Sequence, residues 1–295
     1  MNLIICIDDT DSETSEKGTG AIAEEIMCLV EKKYGAKGTF VTRHQFLIHP
    51  DIPYTSHNSA MCFACTVPDN IDMESMISEC FDHLKKESAE GSDPGLCVAD
   101  LAKADAKMLI DYGKECKRKV MTKESAYTVA KDAGVFLDEA GGTGQGVIGA
   151  VGGVGLRLWG NDGTLKSKPK GLEGGKIYSV AELLQNDKIN SVKCVDGREL
   201  TEEESVLLEK KPKISLVDGL PTVLVEKKSD GVWLPMEKNK ARWHGGSLVF
   251  KEGCSEFRPD VEEEQFSEIP GNNCYNCLYR RWLENGILCQ RPYEK

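Results

Sequence analysis

The chain of 295 residues lacks any apolar run near the roughly 20 residues that a membrane-spanning helix needs, so no bilayer-crossing segment is expected. It lacks the G-x-x-x-x-G-K-[ST] pattern, which excludes a Walker-type P-loop. Histidine is scarce: there are five, and none stands in an H-E-x-x-H pattern. His44 and His49 lie in or near a predicted strand, and His83 on a predicted helix surface. Positive charge is in deficit, with 37 Lys and Arg against 48 Asp and Glu and a net charge of −11. That argues against broad, sequence-independent binding to nucleic acid, which needs a basic face. One basic run stands out, at Lys114, Lys117, Arg118, Lys119 and Lys123. It reads as a solvated helix face in preference to a groove. Met1 leads directly into a predicted strand with no secretory leader, so a cytoplasmic location is expected. Twelve cysteines in that setting should be thiols or metal ligands, not disulfides.

What is present is an alternation of strands and helices in the first half. Residues 2–7 predict a strand, Ala21–Lys33 a helix with Ile22, Ile26, Leu29 and Val30 on one face, and Gly35 its end. Strands are expected at 39–48 and 60–67, and an amphipathic helix at 71–87. A turn at Ser92–Gly95, helices at 103–113 and 123–133 and a short strand at 134–138 follow. Residues 160–176 read as a loop or linker, and 177–250 as strands separated by Asp-Gly and Gly-Gly turns. Glu199–Lys213 is charged and fits a helix or an exposed connection. The expected class is α+β: a mixed nucleotide-binding domain over 1–165, then a strand-rich region over 166–295.

The chemistry concentrates where the first strand ends. Leu3–Ile7 runs straight into Asp8, Asp9, Thr10, Asp11 and Ser12. Three neighbouring carboxylates at a buried strand's exit repel each other and resist leaving water, and a divalent cation such as Mg²⁺ relieves both penalties. A solvated acidic turn is the competing reading. Gly18, Thr19 and Gly20 then open a helix whose N–H groups suit phosphate, with Thr10, Ser12 and Thr19 as hydroxyl donors. A second glycine-rich element, with Gly144, Gly146 and Gly149, serves either a ligand or close packing. Asp138 and Glu139 add carboxylates to the metal or form a turn, and His57 and Asn58 are candidate substrate contacts. Near the C-terminus Cys274 and Cys277 form a C-x-x-C that Cys254 and Cys289 complete as a Zn²⁺ or Fe–S ligand set; reduced core or redox thiols are the alternative. Cys62 and Cys65 are also C-x-x-C, but in a strand they point to opposite faces and read as core thiols.

Four segments, in order, resemble one family. Ile7-Asp8-Asp9-Thr10-Asp11-Ser12 resembles the N-terminal signature of the archaeal isoleucine-tRNA agmatidine synthetases. Ile48–Tyr54 resembles that family's L-N-P-x-I-P-Y, Ser92–Gly95 its S-x-P-G, and Gly144–Ala150 its G-x-G-x-I-G-A helix start. The resemblance spans residues 1–160 and implies a ferredoxin-like component. It also implies an enzyme that uses ATP to phosphorylate a cytidine carbonyl oxygen before agmatine displaces the phosphate, with Asp8, Asp9 and Asp11 catalytic and holding the ATP metal. The chain departs from the pattern in three places. His44 and Leu47 stand where the family has arginines, Thr55–Ser59 replaces a K-T-R-G-N-G stretch, and the C-terminal barrel and double C-x-x-C ribbon have no recognisable match.

The reading is therefore an ATP- and Mg²⁺-dependent phosphoryl-transfer or ligase-type enzyme. Its acceptor is tRNA or a small amine; a tRNA channel would draw on Lys114–Lys123 with Lys166, Lys168 and Lys170. The alternative is a metal- or redox-binding protein built on the C-terminal cysteines, without ATP chemistry.

Overall fold

The computed structural model describes residues 1–12, 15, 17–47, 51–52, 58–194, 197–227 and 231–235, and the backbone alone of 280–283 and 286–289. The chain divides into two compact units, 1–167 and 168–295. The fold is α+β, as the sequence predicts. No helix among the described residues is long and apolar enough to cross a membrane.

In the first unit, strand β1 (Asn2–Asp8) leads to helix α1 (Thr19–Tyr34), then β2 (Lys37–Gln45), β3 (Ser59–Thr66), α2 (Met73–Glu87) and β4 (Gly95–Asp100). The strand order β4-β1-β3-β2, antiparallel throughout, is the ferredoxin-like split βαβ arrangement. Helices α3 (Ala106–Glu115) and α4 (Lys123–Asp132), strand β5 (Phe136–Glu139), helix α5 (Gly146–Trp159) and strand β6 (Thr164–Leu165) complete the unit. Strand β5 extends the sheet beside β4, and β6 beside β2.

Two apolar cores explain why β1 is a continuous apolar run. Leu3, Ile5 and Ile7 face one side, against Ile22, Ile26 and Val30 of α1 and Met76, Cys80 and Leu84 of α2. Ile4 and Cys6 face the other, against Leu109 of α3, Ala126 and Ala130 of α4, and Val147, Ala150 and Val154 of α5. Each fully buried Ile or Leu contributes about 1.5–3 kcal/mol relative to exposure. Cys62 and Cys65 fall into opposite cores, as strand alternation requires. Helix α1 ends where Gly35 takes φ 66° and donates its N–H to Val30 O. Asp72 opens α2 by accepting from the Ser75 N–H.

Strand β4 departs from the sequence reading, which has only a turn before the next helix. It lies beside β1, with Leu96 and Val98 in one core and Cys97 and Ala99 in the other. Burial on both faces erases the alternation that would mark it.

In the second unit, strands β7 (Lys176–Ser179), β8 (Ser191–Cys194), β9 (Ser205–Leu208), β10 (Ser215–Val217), β11 (Leu220–Lys227) and β12 (Trp233–Pro235) surround one short helix, α6 (Val180–Leu184). The order is β10-β11-β12-β9-β7, with β8 parallel to β11. Residues Glu199–Lys213, read as a helix or an exposed connection, contain strand β9, whose Val206 and Leu208 are fully buried. Asp218 and Gly219 both take positive φ in the β10–β11 hairpin, which suits these residue types. Strands β13 (Arg280–Leu283) and β14 (Gly286–Cys289) form a separate antiparallel pair.

Candidate functional site

Because β1 is central, its C-terminal end opens onto the space between the helix layers. Asp8 is its last residue and is buried. Asp9 then turns the chain sharply, at φ 53°, and its N–H donates to Asp8 Oδ1 at 2.9 Å. Positive φ is costly for a residue with a Cβ, though least so for Asp and Asn. Burial pushes the Asp8 carboxyl well above the usual carboxylate range, and repulsion from Asp9 and Asp11 adds to it; the Asp9 N–H opposes the rise. Asp9 is pushed up to about 6 by burial, then by Asp93 and Asp11. No cation among the described residues offsets either rise.

Two helix N-termini converge on the same place. Helix α1 begins at Gly18 with no side-chain cap and no acidic residue in its first turn. The Thr19 N–H points to Asp11 Oδ2 at 3.4 Å. Helix α5 begins at Gln145, also without a side-chain cap or first-turn acid. Between them lies a cleft of ≈350 Å³, lined by Asp8, Asp9, Asp11, Gly18, Thr19, Gly20, Gln145, Gly146 and Gly149. The cleft is also lined by Arg43, Phe46, Asp51, Asn58, Lys119 and Lys166, with apolar Met61, Val120, Met121 and Ile148.

The remaining candidates from sequence are placed differently. Thr10 is fully buried, and its Oγ1 has no partner among the described residues. Ser12 forms a turn with Ser15, whose hydroxyl donates to Ser12 O. Neither lines the cleft. Gly144 takes φ 75°, and a Cβ there would overlap the Glu139 carboxylate, so it shapes a turn outside the cleft. Glu139 pairs with Lys123, and Asp138 accepts from the Glu139 N–H; neither carboxylate joins the acidic loop. Glycine in α5 serves packing as well as the cleft. A Cβ on Gly146 would overlap Asp93 O, one on Gly153 the Cys6 Sγ, and one on Gly155 Leu109 O.

Asn58 lines the cleft while its side chain donates to Leu47 O at 2.6 Å; His57 lies outside the described residues. Cys254, Cys274 and Cys277 lie outside them too, and of Cys289 only the backbone is described, in β14. No group of three or more His, Cys, Asp or Glu among the described residues converges on a common metal position. Asp8, Asp9 and Asp11 share the cleft without forming such a group.

The basic run is exposed or partly exposed, as a solvated face would be, except at Lys117. Lys117 is buried, donating to Gln45 O at 2.8 Å and pairing with Asp162. Lys119 pairs with Glu115, and Lys114 lies 4.7 Å from the Trp159 ring centroid. His44, read as a strand residue, completes a buried network: Nδ1 to Asp162 Oδ1 at 3.2 Å and Nε2 to Thr42 Oγ1 at 2.8 Å. Burial holds its imidazole below the usual value, against the pull of Asp162. Sequence reading misses Arg43 and Asp162, and it assigns Lys117 and Lys166 to solvated or channel-lining runs.

Comparison with known proteins gives a partial likeness. No protein-family model matches the chain, and no curated protein does. Among solved structures, the chain is similar to a tRNA fluorescent labeling enzyme and to TiaS in complex with an isoleucine tRNA and ATP, each at 25% identity and TM-score 0.46. Both likenesses cover 52% of this chain and 36% of that one. Apo TiaS, a tRNA agmatidine synthetase, is similar at 24% identity and TM-score 0.44 over 52% of this chain and 35% of that one. The chain thus spans little more than a third of the length of these structures.

Proposed function

We propose that the first unit is the catalytic part of an ATP-dependent, ligase-type enzyme that transfers a phosphoryl group to activate an acceptor, as the motif resemblance to isoleucine-tRNA agmatidine synthetase implies. One observation carries the reading: three carboxylates and two helix N-termini, neither closed by its own N-cap side chain, face a single cleft. Helix N-termini supply oriented N–H groups and a positive dipole end for phosphate oxygens. The carboxylates supply the opposite need, a seat for the cation that accompanies ATP.

Mg²⁺ fits this donor set. It takes oxygen ligands, and in nucleotide sites uses one or two carboxylates together with phosphates and water. Phosphate oxygens and water would supply its remaining ligands. Asp8 and Asp9, whose carboxyls are raised by burial and by repulsion from neighbouring carboxylates, gain most from a neighbouring cation. When bound, the metal neutralises charge on the transferring phosphoryl group. Asp11, near the first N–H of α1, holds the loop against the helix end. Arg43 and Lys119 also line the cleft and bring positive charge to it. The motif resemblance makes tRNA and small amines the acceptors to screen. TiaS itself has been captured with an isoleucine tRNA and ATP, and with AMPCPP and agmatine.

Calorimetry with ATP and Mg²⁺ tests the reading on wild type, Asp8→Ala and Asp9→Ala. Metal-dependent binding that both variants lose is expected. Wild-type binding retained in full by both variants would sink the assignment.

A further inference from the structure

One cation on the cleft wall has a placement that a surface ion pair does not explain. Lys166 follows the short strand β6, and its N–H donates to Val41 O at 2.9 Å, continuing the β2–β6 register. The backbone is thus fixed at the sheet edge, while the side chain crosses to α1. There its stem lies over Gly20, in the first turn: a Cβ built on Gly20 would stand 2.7 Å from both Cδ and Cε of Lys166. The ammonium reaches Glu24, one helical turn on, and both side chains remain partly exposed. Lys166 and Gly20 both line the cleft that Asp8, Asp9 and Asp11 share.

We propose that Lys166 is a polyphosphate-binding residue of this cleft, held by Glu24 until phosphate oxygens replace that carboxylate. The assignment rests on the nucleotide reading given above and names which side chain meets the anion. Three features support it. First, a lysine whose stem crosses a helix's first turn can swing its ammonium from Glu24 toward the N–H groups there, and lysine suits phosphate as a compact point charge. Second, Gly20 is the residue type that lets the lysine stem lie flat on the helix; any larger residue would lift it away from the N-terminus. Third, a partly exposed Lys–Glu pair is weak, so exchanging Glu24 for a multiply charged phosphate is favourable. The acidic loop and Lys166 then act on different parts of one ligand. The carboxylates meet it through a cation, and the lysine meets it directly.

The test is calorimetry on the full chain with two probes, Mg²⁺–ATP and inorganic tripolyphosphate, for wild type, Lys166→Met, Lys166→Arg and Gly20→Ala. Lys166→Met should weaken both ligands by about 10- to 100-fold, the usual loss of one hydrogen bond to a charged group. Lys166→Arg should restore part of the affinity. Gly20→Ala, which displaces the lysine stem while leaving its charge, should weaken both ligands in the same direction; thermal melts confirm that each variant is folded. Equal affinity of wild type and Lys166→Met for ATP would overturn the assignment and leave the nucleotide reading standing. Lys166-dependent binding of tripolyphosphate without binding of ATP would support the lysine's role and overturn the nucleotide reading. No binding of either probe by wild type would overturn both.

Discussion

Gly149 of α5 faces the carboxylate of Asp8 so closely that a Cβ at this position would overlap Asp8 Oδ2. The acidic loop is therefore set by a helix distant from it in sequence. Gly149→Ala should force the buried carboxylate aside. Overpacking of this kind costs about 1–3 kcal/mol. A lower melting temperature together with weaker Mg²⁺–ATP binding is expected; a variant equal to wild type in both would refute the close fit.

Lys117 and Asp162 form an ion pair whose side chains are 3% and 1% exposed. Lys117→Met would leave the Asp162 carboxylate buried beside His44 without its cation. Breaking a buried pair from one side costs about 3–5 kcal/mol. Chemical denaturation should show that loss for Lys117→Met and a partial recovery for Lys117→Met with Asp162→Asn. An unchanged midpoint in the single variant would mean that the pair does not hold this region together.

His44 gives stability a pH dependence of known sign. Its folded value is depressed, mainly by burial, while an unfolded histidine titrates near 6.5. As pH falls below that value the unfolded chain takes up the proton first, so stability is lost toward acid and levels off below the folded value. Asp9, held up to about 6, acts in the opposite sense, because its protonation favours the folded state. The difference between wild type and His44→Gln therefore isolates the imidazole. Denaturation midpoints between about pH 5 and 7.5 should fall more steeply toward acid in wild type; equal slopes would exclude the contribution.

Cysteine reactivity should separate by position. Cys28 is exposed, whereas Cys6, Cys62, Cys97 and Cys116 are buried beside or within the sheet. Burial also pushes the thiols of Cys6, Cys97 and Cys116 up, which suppresses the reactive thiolate. Peptide mapping after maleimide treatment should find the Cys28 peptide modified quickly and those four protected until denaturant is added. Rapid modification of Cys6 in the native protein would contradict the packing of α5 on β1.

Much of the first unit was legible because local signals agree with the tertiary structure. The apolar run of β1, the spacing of Ile22, Ile26 and Val30, and Gly35 at the end of α1 all carry their own physical reason. The acidic loop was legible as a cluster of charge. Helix α5 was harder: it contains five glycines, each disfavouring helix by about 1 kcal/mol relative to alanine. They are there because α5 must approach β1 and α3 closely, which is a tertiary demand. The His44–Asp162–Lys117 network was not legible at all. Its members lie 118 and 45 positions apart, and nothing local distinguishes Lys117 from the solvated lysines around it.

Strand β1 is hydrogen-bonded to β3 on one side and β4 on the other, and covered on both faces. Its amide protons can therefore meet solvent only when the whole unit opens, whereas a loop or sheet edge can open by itself. The root of the acidic loop thus belongs to the slowest-exchanging part of the molecule. Asp8 keeps its place through every partial opening of the edges, and the cleft can admit and release a ligand without loosening the residue at its floor.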